Sequence, residues 1–147
     1  MKKLVVLGAG ESGIGAALLG KKQGFDVFVS DLNTIDQKNK EVLLHHEITW
    51  EDGHHSMEKI IKADLVVKSP GSPDTVPLIL KLRGKGIRVV SEIEFAFCYS
   101  DATLVGITGS NGKTTVATMT HEILRNGDLN VALAGNIGNS YARTLAV

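Results

Sequence analysis

The chain has one cysteine, Cys98, in 147 residues, so no internal disulfide can form and a reducing compartment suits it. It lacks an excess of either charge: 16 basic residues balance 16 acidic ones, which leaves no overall electrostatic footprint for nucleic acid or an anionic membrane. No apolar run approaches the roughly 20 residues of a membrane span. The start, "MKKLVVLGAGESG", has two lysines and a short apolar stretch, but Gly8, Gly10 and Glu11 interrupt it before it reaches signal-peptide length. Internal repeats and low-complexity segments are also missing. We therefore expect a cytoplasmic monomer with no nucleic-acid partner and no membrane contact.

What is present is an ordinary globular composition. Hydrophobic residues make up 43% and charged residues 22%, enough to bury a core without covalent staples. Short β-rich runs alternate with helical patterns. "KLVVLG" (from Lys3), "DVFVSD" (from Asp26), "DLVVKSPG" (from Asp64) and "IRVVSEIEF" (from Ile87) read as strands, with "EITWED" as a weaker one. "SGIGAALLGKKQG", opened by Ser12, "NKEVLLHH", "SMEKIIKA", capped by Ser56, and "TVPLILKLRGKG" read as helices. Strand–helix alternation implies a parallel sheet covered on both faces. After "CYSDAT" the pattern restarts: strand "TLVGIT", a glycine loop, helix "KTTVATMTHEILRNG", strand "NVALAG" and the loop "GNIGNS". We expect one complete domain over residues 1–95 and the beginning of a second over 96–147.

Two glycine loops carry the chemistry. "GAGESG", Gly8 to Gly13, matches G-x-G-x-x-G between a strand and a helix, where backbone can approach a pyrophosphate at the helix N-terminus. Asp31 closes the second strand, at the place of an acidic ribose ligand. A plain tight turn is the bland alternative. The nucleotide stays open: NAD, or a uridine nucleotide whose ring N–H a carboxylate such as Asp31 could accept.

"GSNGKTT", Gly109 to Thr115, also opens a helix. Its backbone N–H groups would converge on phosphate oxygens, Lys113 would reach the β- and γ-phosphates of ATP, and the Thr114 hydroxyl would ligate Mg2+. The usual phosphate loop has a glycine where Ile107 stands, so the match is not strict.

These residues resemble a known family. "GITGSNGKTT" with "AGNIG" (Ala134 to Gly138) is similar to the ATP loop and following motif of the Mur ligases, ATP-dependent amide-forming enzymes of peptidoglycan precursor synthesis. "GAGESG", "DGHH", "ADLVVKSPG" and "SEIEFAF" resemble the N-terminal domain of the member that adds D-glutamate to UDP-N-acetylmuramoyl-L-alanine. The likeness covers nearly the whole chain but only about the N-terminal third of such an enzyme. It implies a Rossmann-like α/β parallel-sheet domain followed by the start of a P-loop NTPase-like α/β domain.

The resemblance also implies which residues act. The first domain would hold the uridine diphosphate acceptor: Gly10, Glu11, Ser12 and Gly13 at the pyrophosphate and uridine, Asp31 and Leu32 at the uracil, and Ser69, Pro70 and Gly71 as a backbone wall. Asn136 would contact the muramoyl part. Gly109, Ser110, Asn111, Gly112, Lys113, Thr114 and Thr115 would bind ATP, with Lys113 and Thr114 serving phosphoryl transfer to the acceptor carboxylate through an acyl phosphate. Leu32 stands where members carry a polar residue, and "GNIGNS" lacks the family's later proline. The D-glutamate site and further metal ligands would lie after Val147, so the chain alone would bind nucleotide without forming the amide. Two other functions compete: an NAD-dependent oxidoreductase or nicotinamide-sensing domain, which leaves the second loop unexplained, and a non-catalytic phosphate-binding module.

The remaining chemistry-bearing residues have plainer readings. His45–His46 and His54–His55 are expected at the surface, in loops, rather than as a metal centre, with His54 near the substrate cleft, and His121 is expected to be structural. Cys98 is expected to be buried at the domain joint. Glu92 and Glu94 are expected to share one face of a strand end near the cleft.

Overall fold

The computed structural model describes residues 1–147 except Ser72 and Asn136. Its centre is a five-stranded parallel sheet made of β1 (Lys3–Leu7), β2 (Asp26–Ser30), β3 (Thr49–Glu51), β4 (Leu65–Lys68) and β5 (Arg88–Ser91). The strand order is β3-β2-β1-β4-β5. Val5 of β1 pairs with Phe28 on one side and Val66 on the other, so β1 is the central strand. Continuous apolar runs form β1, β2 and β4 at the centre, because both faces of a parallel sheet are covered there, whereas the edge strand β3 is Thr-Trp-Glu.

Alternation along β1 divides the core. Leu4 and Val6 face a cluster with Ile14, Ala17, Leu43 and Phe95, while Val5 and Leu7 face another with Ile60, Ile79 and Leu82. The first cluster lies under α1 (Glu11–Lys22), α2 (Gln37–His45) and α5 (Glu92–Phe97), and the second under α3 (Met57–Ile60) and α4 (Pro77–Gly84). Asp36 caps α2 by accepting from the Asn39 N–H, and Pro77 opens α4, where its missing N–H costs nothing.

The structure corrects three sequence expectations. The run "IRVVSEIEF" is not a single strand: β5 stops at Ser91 and α5 begins at Glu92. The cause is a capping box, in which Ser91 Oγ accepts from the Glu94 N–H and the Glu94 carboxylate accepts from the Ser91 N–H. Glu92 and Glu94 therefore sit in a helical turn, not on one strand face. Cys98 is exposed rather than buried.

Finally, "TLVGIT" and "NVALAG" form no strand; among the described residues a single bridge, Ala134 to Asn139, is the pairing there. A parallel strand needs a neighbour to take its amides and a covering face to take its side chains. Here Leu104 and Val105 are exposed. Helix α6 (Lys113–Asn126) forms but has no buried residue.

The last element, α7 (Tyr141–Ala146), packs against α1 and α5, and its Ala142 is wholly buried in the first core. The Ser140 hydroxyl caps it by accepting from the Arg143 N–H. No helix among the described residues is long and apolar enough to cross a membrane.

Candidate functional site

The first glycine loop lies where the strand order reverses, between β1 and β4, at the carboxyl ends of the strands. That position is the usual crevice of an open α/β sheet. Four strand ends are laced together there. The Gly8 N–H donates to Ser30 O (2.9 Å), the Ser69 N–H to Leu7 O (2.8 Å) and the Asp31 N–H to Glu51 O (3.1 Å). Gly8 has φ +100°, and a Cβ on it would stand 2.8 Å from Ser69 Cβ. A Cβ on Gly13 would stand 1.9 Å from Gly8 O, so this glycine lets the first turn of α1 close onto the loop. Gly10 differs: a Cβ there meets nothing within 4 Å. The protein itself does not require a glycine at position 10, and the space beside it is open.

Asp31 is tied to this loop. One carboxylate oxygen accepts from the Ala9 N–H (2.7 Å) and the other from the Asn33 N–H (2.8 Å). The side chain therefore shapes the loop as well as lying beside the crevice. Leu32 is 60% exposed at the same end of the sheet, and Pro70 and Gly71 are exposed after β4. Among the described residues, no acceptor takes the N–H groups of Glu11, Ser12 or Gly13, the first three of α1. They belong to the positive end of a helix that begins beside the open space at Gly10, which suits an anion.

Beneath this rim lies a polar cluster that sequence reasoning missed. Ser30, fully buried, donates its hydroxyl to Glu51 Oε1 (2.7 Å), and its oxygen lies 2.7 Å from His55 Nδ1. Because the single hydroxyl proton goes to the carboxylate, His55 donates from Nδ1. Glu51 also accepts from the Ser56 N–H (2.6 Å) and from Lys59 Nζ (3.2 Å). Burial pushes the Glu51 carboxyl up, but the bonds from Ser56, Ser30 and Lys59 outweigh it and hold the pKa at about 2. Burial lowers the pKa of His55 against the pull of Glu51 and Asp31. The sequence signal was Glu51 at the end of an alternating strand, followed by a histidine pair and a serine.

The other histidines are placed simply. His45 ends α2 and His46 is its C-cap, both exposed, at the end of the helix expected over "NKEVLLHH". His54 is largely exposed, with Nε2 3.7 Å from Glu51. His121 lies within α6 beside Glu122. Among the described residues, no group of three or more His, Cys, Asp or Glu could hold a metal.

Glu11 is used in a way the sequence did not suggest. Its carboxylate accepts from the Ser140 N–H (3.2 Å) and from Arg143 Nη1 (2.7 Å), so its side chain turns to α7 rather than to the crevice. Glu92, 4% exposed, accepts from the Ala142 N–H (2.5 Å). Burial and the nearby Glu11 raise its pKa. Asn136 lies outside the described residues.

The second loop leads into α6. Gly109 and Gly112 have φ of +145° and +76°, backbone that favours glycine, and Gly112 is the N-cap of the helix. Ser110, Asn111, Thr114 and Thr115 are all exposed around that N-terminus. The Lys113 ammonium folds back to donate to the carbonyls of Gly109 and Ser110. The loop thus gathers backbone donors, three hydroxyls and one cation at a helix start, which is the donor set that a polyphosphate requires.

Comparison with known proteins agrees with this geometry. Residues 3–76 match the family model described as the MurD N-terminal domain, and residues 107–146 match that of the Mur ligase middle domain. The UDP-N-acetylmuramoylalanine–D-glutamate ligase of Christiangramia forsetii is 58% identical over 99% of this chain, and that of Bacteroides thetaiotaomicron is 56% identical over 99%. The chain spans 33% of the length of each. A solved pseudomurein peptide ligase type C from Methanothermus fervidus is 30% identical, with a TM-score of 0.60, covering 90% of this chain and 29% of that one. With its five-stranded parallel sheet and with half its length matching the MurD N-terminal domain, this chain belongs to the Mur ligase family.

Proposed function

We propose that the chain carries the acceptor-nucleotide site and the ATP loop of a cytoplasmic ligase that joins D-glutamate to UDP-N-acetylmuramoyl-L-alanine in peptidoglycan precursor synthesis. Residues 1–95 form the uridine-nucleotide domain and residues 96–147 begin the ATP domain. The observation that carries this reading is the open space at Gly10 beside the N-terminus of α1, whose first-turn amides have no acceptor among the described residues, at the sheet's switch point. The names of the relatives supply the substrate class. The NAD alternative leaves the second loop without a role.

The diphosphate would rest on the amides of Glu11, Ser12 and Gly13. The uracil would lie by Asp31, with only the backbone of Leu32 available for bonding. Ser69, Pro70 and Gly71 wall the crevice, and Asn136 would meet the muramoyl part. Joining a carboxylate to an amine in water is uphill, because the solvated ions are favoured over the amide, and slow, because a carboxylate is a poor electrophile. Bound ATP would supply the phosphoryl group that activates the acceptor carboxylate, and Mg2+ beside the Thr114 hydroxyl would supply positive charge. The second loop fits these groups. Lys113 already donates to two loop carbonyls, and a phosphate is a stronger acceptor than either. Gripping the uridine end aligns the far carboxylate, which turns an encounter between two molecules into a step within one complex.

Amide NMR titration tests the reading. UDP should shift the signals of residues 8–13 and 31–33, and ATP with Mg2+ those of 109–115. Lys113→Ala should abolish the ATP response and leave the UDP response intact. A UDP titration that leaves residues 8–13 unmoved would overturn the assignment.

A further inference from the structure

The Glu11–Arg143 pair joins the two halves of the chain at the mouth of the crevice. Arg143 Nη1 lies 2.7 Å from Glu11 Oε2, and the arginine side chain is 23% exposed. Glu11 directly follows Gly10, beside the open space, and is the first residue of α1, whose first-turn amides have no acceptor among the described residues. A carboxylate suits a helix N-terminus but opposes an incoming diphosphate, since like charges a few ångströms apart repel. Beneath the same contact lies a second acid, Glu92, held by the Ala142 N–H. α7 thus brings a cation, Arg143, to the Glu11 carboxylate and a backbone N–H, that of Ala142, to Glu92.

We propose that Arg143 is a positioning residue of the diphosphate site: by neutralising Glu11 and drawing its carboxylate toward α7, it makes the first glycine loop receptive to a nucleoside diphosphate. The inference rests on the uridine-nucleotide reading given above. It makes affinity at the first loop depend on a residue more than a hundred positions away that does not itself contact the ligand. The polar atoms around the pair come from α1 (Glu11), α5 (Glu92) and α7 (Ser140, Arg143).

The test is calorimetric titration of the full 147-residue chain with UDP. Arg143→Ala should weaken binding about five- to tenfold, with the loss shrinking as salt rises. Glu11→Gln should bind at least as tightly as the parent. Combining Glu11→Gln with Arg143→Ala should return affinity to within about twofold of the parent, because the uncompensated carboxylate is gone. Arg143→Lys, which keeps the charge, should lose less than Arg143→Ala and controls for folding. If both single variants weaken binding and the double variant is weakest, α7 acts only as a structural prop and the proposal is overturned. If the parent chain fails to bind UDP, the uridine reading falls. The same series with inorganic pyrophosphate then decides the charge device, which survives if the order of affinities holds and fails if it does not.

Discussion

Gly15 of α1 and Ser140 at the start of α7 face each other with no room for a methyl group between them. A Cβ on Gly15 would stand 2.1 Å from Ser140 Oγ and 2.8 Å from the backbone nitrogen of Arg143. The hydroxyl cannot swing away freely, because it caps α7 and is 1% exposed. Gly15→Ala should therefore push α7 off α1, at a cost of about 1–3 kcal/mol. Hydrogen exchange is the suitable measurement: faster exchange is expected in residues 141–147, with little change in β1 to β3.

Asp31 should matter to the fold before any ligand arrives. It accepts the Ala9 N–H, and Ala9 is 4% exposed, so Asp31→Ala leaves a buried donor without its acceptor. The expected loss is about 1–3 kcal/mol in urea unfolding. Asp31→Asn keeps one oxygen and should lose less stability than Asp31→Ala. Both variants should bind UDP more weakly.

Glu51 should give the chain an acid-sensitive stability. Its folded pKa, about 2, lies below its ordinary 4.5, so its stabilising contribution is fully present above about pH 4.5 and is lost as pH falls toward 2. The depression corresponds to on the order of 3 kcal/mol. Glu51→Gln should be destabilised at pH 7, and the gap to the parent should close with falling pH across that window. Chemical unfolding at a series of pH values measures it. A gap that stays constant from pH 7 to pH 3 would rule out this role.

Gly10→Ala separates binding from folding. The backbone there, φ −73° and ψ −172°, is open to any residue, and a Cβ meets nothing within 4 Å. Stability should change by less than about 1 kcal/mol. UDP affinity should fall about tenfold or more, since the methyl group would enter the space where the diphosphate is proposed to lie. Gly13→Ala is the contrast: its Cβ would meet Gly8 O at 1.9 Å, so the loop and the fold should both suffer.

Much of the sheet was legible because its strands are continuous apolar runs separated by glycine and capping residues. The first loop was legible because its glycines, flanking strand and flanking helix are all local features. The turn from β5 into α5 was misread, although its capping box was present in "SEIE". There the strand-like alternation of "IRVVSEIEF" competed with a helix start, and the reciprocal Ser91–Glu94 bonds won. The strands expected around Leu104 and Val131 failed for a different reason: sequence preference for a strand is worth little without a partner edge.

Local sequence by itself determined the apolar strands at the centre of the sheet, the helix that follows each glycine loop and where backbone can bend back to meet an anion, because hydrophobic period, caps and glycines act over a few residues. Only the tertiary structure decided that Glu11 turns to Arg143, that Ser30, Glu51 and His55 meet, and that α7 lies on the first core. Those choices join residues 21 to 132 positions apart. They follow from how helices and strand ends pack in space, which no local pattern encodes.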